Sequence, residues 1–453
     1  MPEGTAPATP PAGTASFDPG LAPAVPDSAR SPNWPQFRGP AGTGVSLATN
    51  LPVTWGDGRN VAWRTRIKGL GASSPIVWDD HAYISVYRGY GVPDQRTTRG
   101  PAPDPQKLER HIVCYHRKTG REIWDHKVEF TTVDAEYKDF LLQHGYASST
   151  LATDGKKIFG FFGVNGACAV SMNGRKDWNF LVGTRTHERG SFSSPILYQD
   201  LLIINASIES GAIGAVSKES GNKLWSYDGV EESWATPLLV DTPDGDIDLV
   251  ISMRGQIVGL DPATGVFRWR CNGINDFISP SVVAGSGVVY ATGGRAGEMI
   301  AVRAGGKGDV TNSHVLWKID AGSNVPSPAL HEGHLYWVSH QGRGYCVNAV
   351  TGEIVTQRRT DAGTVYASPV VADGKLYVVS RNNGTFVITA TPEMEQLAHN
   401  VFASDETTFN ASPAVARGQI YLRSNEFLYC IGEESAAPPA SETRAESGDS
   451  TLR

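Results

Sequence analysis

Residues 260–269 read LDPATGVFRW, and the same phrase returns as KTGREIW at 118–124, NGRKDW at 173–178 and ESGNKLW at 219–225. In each copy a Trp stands four residues after a Gly. Pro262 presets φ and Gly265 can take the positive φ that ends a tight loop, so the phrase is a turn running into a strand. Two looser copies, ending at Trp317 and Trp63, keep the Trp and lose the turn. A recurring phrase of this length marks a repeat architecture, in which each unit buries its apolar face only against its neighbours.

A second signal sets the register. Ser-Pro-type strand starts recur at Pro75, Thr150, Pro195, Pro237, Pro280, Pro328, Pro369 and Pro413, 41 to 48 residues apart after one first step of 75. Each unit reads as four short strands, with turn clusters every 8–12 residues and no helical periodicity. The 50 Gly and 28 Pro, about 17 % of the chain against a usual ~12 %, suit frequent turns. The expected fold is all-β: an eight-bladed β-propeller of four-stranded antiparallel blades. Blade eight runs out after three strands at Ile431, so the N-terminal strand NVAWRTRI, with Trp63, is predicted to close the ring. The stretch 33–46 (NWPQFRGPAGTGVS) is expected to lie across the blades it joins. Residues 1–32, rich in Pro, Ala, Thr and Ser, and the polar tail 433–453 carry too little apolar surface to fold. The propeller is therefore assigned to 33–432.

The phrase LDPATGVFRW, a small residue ten before each Trp and eight units resemble the tryptophan-docking repeats of quinoproteins, the pyrroloquinoline-quinone (PQQ) dependent dehydrogenases and their cofactor-free relatives. WPQFRGP, HGYASST, INASIESG, GGKGDV and FNASPAV resemble bacterial PQQ-like propellers and, more distantly, the propeller lipoprotein of the outer-membrane barrel-assembly machinery. The resemblance implies a periplasmic or secreted protein, although no signal peptide is visible in this sequence. It also implies six structural repeat tryptophans: Trp63, Trp124, Trp178, Trp225, Trp269 and Trp317. The alcohol-oxidising quinoproteins carry an adjacent Cys-Cys pair and a calcium held by Glu, Asn and Asp. This chain has no Cys-Cys, and those calcium ligands find no residue-by-residue match in it.

Cys114, Cys168, Cys346 and Cys430 share one repeat position, five residues before the turn Thr or its equivalent, which Ala215 and Gly259 fill elsewhere. A position that accepts Cys, Ala or Gly is selected for small size, which makes these thiols packing groups rather than a disulfide or metal set. The acidic run 241–249 (DTPDGDIDL) lacks the spacing of a helix-loop-helix calcium site and reads as a solvated hairpin. No metal site, Ser-His-Asp order or phosphate loop is legible.

Two insertions, 88–110 and 129–145, lie in connections that an antiparallel blade sends to one face, and repeat proteins often bind there. His144, Glu231 and Asp276 precede innermost strands on that face and are the weak candidates for a base or metal ligand. Tyr146, Phe192, Trp234, Phe277, Tyr366 and Phe409 interleave with them around the channel. Strand two ends in or near an Arg in six blades: Arg88, Arg254, Arg295, Arg343, Arg381 and Arg423. The planar guanidinium fork suits carboxylates and phosphates. A net charge of −7 argues against a nucleic-acid surface, and no apolar run approaches the ~18 residues of a membrane span.

Two readings stay open. The first is a non-enzymatic, monomeric, exported scaffold that binds a small anionic ligand or an acidic protein or glycan. The second is a PQQ-dependent oxidoreductase, which alone would require the quinone and calcium.

Overall fold

The computed structural model describes residues 31–90, 105–130, 132 and 146–433. They form eight antiparallel four-stranded sheets, two of which gain an extra strand. Blades one to seven occupy 76–128, 152–180, 196–228, 238–272, 283–319, 329–359 and 370–400. Blade eight is built from 414–431 and closed by Val61–Arg66, which pairs antiparallel with Phe427–Ile431 so that Trp63 faces Cys430. The predicted eight-bladed propeller, shut by its own N-terminal strand, is the fold. His144 and most of both insertions lie outside the described residues.

The apolar core sits between blades. One cluster joins Ile76, Tyr83 and Cys114 of blade one to Ile158, Cys168 and Val170 of blade two. Others join blades three and four, four and five, and six and seven in the same way. The Trp-Gly phrase is the clip across these seams. Trp178 of blade two lies on the turn glycine Gly221 of blade three, where φ is 72° and an added Cβ would stand 2.7 Å from the indole. Trp63, Trp124, Trp225 and Trp317 dock likewise on Gly120, Gly174, Gly265 and Gly352. Four of these five donate the indole N–H to a carbonyl of the neighbouring turn.

Trp269 departs from the expected role. It docks on no turn glycine of the next blade: fully buried in the core between blades four and five, it pairs with Gly259 and donates to Asp248 Oδ2 at 2.6 Å. Its outer flank is covered by Gly308–Asp309, a parallel fifth strand. Asp248 is thereby corrected from a solvated hairpin residue to a buried one, held also by Arg268 at 2.9 Å. The small-residue position holds where Cys114, Ala215, Gly259 and Cys430 face a Trp. In blade two the shorter turn shifts the pairing by one, so Ala169 faces Trp178 and Cys168 faces Asn179. All five thiols are free and buried.

The register signal proves to be a hydroxyl, not a proline. The backbone N–H of Ser74 donates to Thr150 Oγ1 in the next blade. The same bond runs from Thr150 to Ser194, Thr236, Ser281, Ser327, Ser368 and Ser412 in turn, and Ser412 closes the circle on Ser74. All eight bonds are 2.9 or 3.0 Å long. Proline follows the hydroxyl in six blades, but Leu151 and Val282 follow it in blades two and five. The sequence register was therefore displaced at two markers: Thr150 is a ring hydroxyl with Leu151 at the proline position, and Pro280 precedes the ring hydroxyl Ser281.

Candidate functional site

Turns between strands two and three bond to the links that enter and leave their blades. Arg254 N–H donates to Glu231 O at 3.1 Å, Arg381 N–H to Thr364 O at 2.8 Å, and Phe409 N–H to Arg381 O at 2.9 Å. These turns and links therefore share one face, as the antiparallel topology requires. On the other side the N-terminal stretch crosses the ring. Trp34 bridges to Val77 of blade one, Pro35 O accepts from Thr153 of blade two, and Arg38 donates to Ser327 O of blade six at 3.0 Å. Val45–Ser46 then joins blade seven. Between these supports Phe37 reaches the channel, which is lined by all eight ring hydroxyls, Phe192, Trp234, Tyr366 and Asn410.

The mouth is aromatic and cationic on one side. Phe192 stacks on Trp234 at 5.9 Å, and Trp234 meets Phe277 edge-on at 6.4 Å. The Arg189 guanidinium lies 3.9 Å over the Phe277 ring and that of Arg295 5.6 Å from it. Across the channel, Arg381 lies 4.9 Å over Tyr366 and donates Nε–H to Asn410 at 3.0 Å. Aromatic faces hold guanidiniums by their negative quadrupole, which keeps the forks oriented. Arg254 is exposed and pairs with Glu232 at 3.0 Å, and Arg343 is exposed at the start of its strand.

Four predicted contacts are corrected. Arg423 is 2 % exposed and turned into the seam between blades eight and one, where Nη1 donates to Ser73 O and Ser85 O, both at 2.9 Å. Burial lowers its pKa to about 10. Arg88 is engaged by Asp125 at 2.7 Å. Tyr146 packs into a wall cluster with Tyr87 and Tyr90. Phe409 is core, beside Phe402 and Tyr429. Among the candidate bases, Asp276 serves as a turn acceptor for the N–H groups of Arg295 and Phe277 at 2.9 and 2.8 Å. Together with the charges of Arg295 and Arg189, these bonds hold its carboxyl below the usual range against the opposing cost of burial. Glu231 is exposed and uses its carbonyl to accept from Arg254.

Sequence reasoning passed over Glu209, in the strand two–three turn of blade three. It is 2 % exposed, and burial raises its pKa to about 7 against the opposing pull of Ser191 and Arg185. Oε2 has no hydrogen-bond partner. The phrase INASIESG carried this residue, but nothing local distinguishes a buried turn Glu from an exposed one.

The sequence model of a family described as outer membrane protein assembly factor BamB matches residues 108–358. Among solved structures, BamB from Moraxella catarrhalis superposes with a TM-score of 0.58 at 14 % identity, over 83 % of this chain and 98 % of that one. A europium-containing methanol dehydrogenase superposes at 0.51 and 13 % identity, over 90 % and 99 % of the two chains. At such identities the likeness speaks for the fold alone. A tetrathionate hydrolase of Acidianus ambivalens is 29 % identical over 126 residues, 22 % of each protein, so the chain spans about a fifth of that curated relative. The matched region runs through six of the eight blades, and by it this chain is a member of the BamB-described family of PQQ-like repeat propellers.

Proposed function

We propose that this protein is an exported binding scaffold of the cell envelope that takes an anionic ligand or acidic partner at the channel mouth. One observation carries the reading: guanidiniums held over aromatic rings on both sides of a cavity, Arg189 and Arg295 over Phe277 and Arg381 over Tyr366. A concave aromatic site with a few fixed charged groups is the usual form of a small-ligand pocket. Among the described residues Arg189 and Arg295 form no close ion pair, and the one carboxylate whose charge they are seen to stabilise is that of Asp276. Arg343 extends the cationic surface outward, and Arg254 does so with Glu232 beside it. Membership of a family described by an assembly factor supports a protein partner, and the partial match to an enzyme named for tetrathionate supports an anionic ligand.

The test is titration of the protein at low ionic strength with a sulfated oligosaccharide, polyglutamate and the free quinone tricarboxylate. At least one should bind, more weakly as salt rises. Arg295→Ala and Arg254→Ala should weaken it without moving the melting temperature. No binding by any of the three would end the reading.

The oxidoreductase alternative is favoured by Glu209 alone, a buried carboxyl held by Ser191 with one oxygen unbonded. The described residues contain no group of three or more His, Cys, Asp or Glu side chains placed for a metal. No catalytic step is derived through a quinone. A quinone found by absorbance and mass spectrometry in protein from its native host would reverse the ranking.

A further inference from the structure

We propose that the ring of eight hydroxyls is a second binding site, in the same channel as the mouth but on different side chains, for a fully deprotonated oxyanion of the sulfate class.

Each ring oxygen accepts one backbone N–H from the preceding blade, which uses its acceptor side. A hydroxyl also carries one O–H donor, and none of the eight donates to any group among the described residues. The side chains belong to residues only 2 to 7 % exposed, and all eight line the same cavity. Their O–H groups are therefore free to donate into the cavity, to water or to a ligand. Eight on one axis are a built feature. Accepting an N–H also polarises the hydroxyl and strengthens what it donates.

The charge around the ring has the matching sign. Arg38 is buried beside ring residue Ser327, whose carbonyl it binds, and Arg423 binds the carbonyl of Ser73, next to ring residue Ser74. Neither guanidinium has a carboxylate partner, and each leaves its Nε–H unbonded. No Asp or Glu lines the cavity, and its one amide oxygen, on Asn410, already accepts from Arg381. Uncompensated buried charge is costly unless something answers it.

A site made of donors selects among acceptors. Sugars and polyols bring no charge to answer the two buried guanidiniums, and each of their hydroxyl protons must take the single lone pair that a ring oxygen has left. Hydrogen phosphate brings at least one such proton. Sulfate, selenate and related dianions bring none, so every oxygen can accept.

The experiment is calorimetric titration of the full chain with sodium sulfate, sodium phosphate at pH 6 and mannitol, at matched ionic strength. A crystal grown in sodium selenate then locates the ion by its anomalous signal. Sulfate should bind with one-to-one saturation, phosphate at least about tenfold more weakly (a difference near 1.4 kcal/mol), and mannitol not at all. Selenium should lie on the channel axis at the level of the ring. Val325→Asp places a carboxylate on the half-exposed cavity wall and leaves the ring bonds intact. It should abolish sulfate binding while the anion-free melting temperature holds. Arg295→Ala, at the mouth, should leave sulfate binding unchanged, which separates this site from the one proposed above. Absence of saturable sulfate binding, equal binding of mannitol, or selenium only on the outer surface would each overturn the proposal.

Discussion

Trp225 of blade three packs on Gly265 of blade four, and its indole N–H, unlike those of Trp63, Trp124, Trp178 and Trp317, finds no acceptor. Its contribution is therefore packing alone. Trp225→Ala should cost roughly 3–5 kcal/mol, read as a lowered urea midpoint with an unchanged slope. A loss below about 1 kcal/mol would refute the seam-clip role. Glu209 makes the opposite kind of residue-scale statement. Its folded pKa, about 7, stands above its ordinary 4.5. Below 4.5 both states hold the proton and nothing is lost. As pH rises from 4.5 to 7 the unfolded chain ionises first, so the fold loses stability across that window, by up to about 3 kcal/mol. Glu209→Gln should flatten this dependence and be the more stable protein at pH 8. Identical pH profiles from denaturant melts at pH 4, 6 and 8 would show that the carboxyl is already answered by a partner.

At the scale of elements, the closing strand Val61–Arg66 has the largest consequence. A chain beginning at Asn33 forfeits little of the described structure beyond the bonds from Arg417 N–H to Pro32 O and from Asn33 N–H to Ser31 Oγ. A chain beginning at Lys68 loses the whole partner of Phe427–Ile431 and bares a sheet edge. The first truncation should stay monodisperse with a melting temperature close to the parent, and the second should aggregate. Equal behaviour in light scattering and thermal melts would contradict closure by this strand. Blade four shows the limit of reading elements from a phrase. LDPATGVFRW is the fullest copy of the repeat, yet its Trp, though in the seam, is the one that docks on no turn glycine, because the excursion GGKGDV replaces that turn and Asp248 accepts from both the indole and Gly305. The Ser-Pro signal was legible for a related reason in six blades and misleading at Pro280. Proline is the conspicuous letter, while the bond that joins the blades is made by the hydroxyl before it.

For the whole molecule, eight repeats, all-β structure and closure by the N-terminal strand could be read from the sequence. Turn chemistry, strand alternation and unit length act within about 45 residues, so the chain states them locally. The strap's path across the channel was foreseen only in outline. That Phe37 reaches the cavity, and that Arg38 is buried on blade six, depend on residues nearly 290 positions apart. The six arginines occupied one repeat position and looked equivalent. Closing the ring separated them: Arg254 stayed in solvent, Arg381 came to rest on Tyr366, and Arg423 was sealed into the last seam. The same closure brought eight hydroxyls from eight blades onto one axis. A repeat sequence determines its unit and the number of units. Which face each side chain meets, and which charges are removed from water, are decided only when the last blade packs against the first, because burial depends on neighbours that no single unit contains.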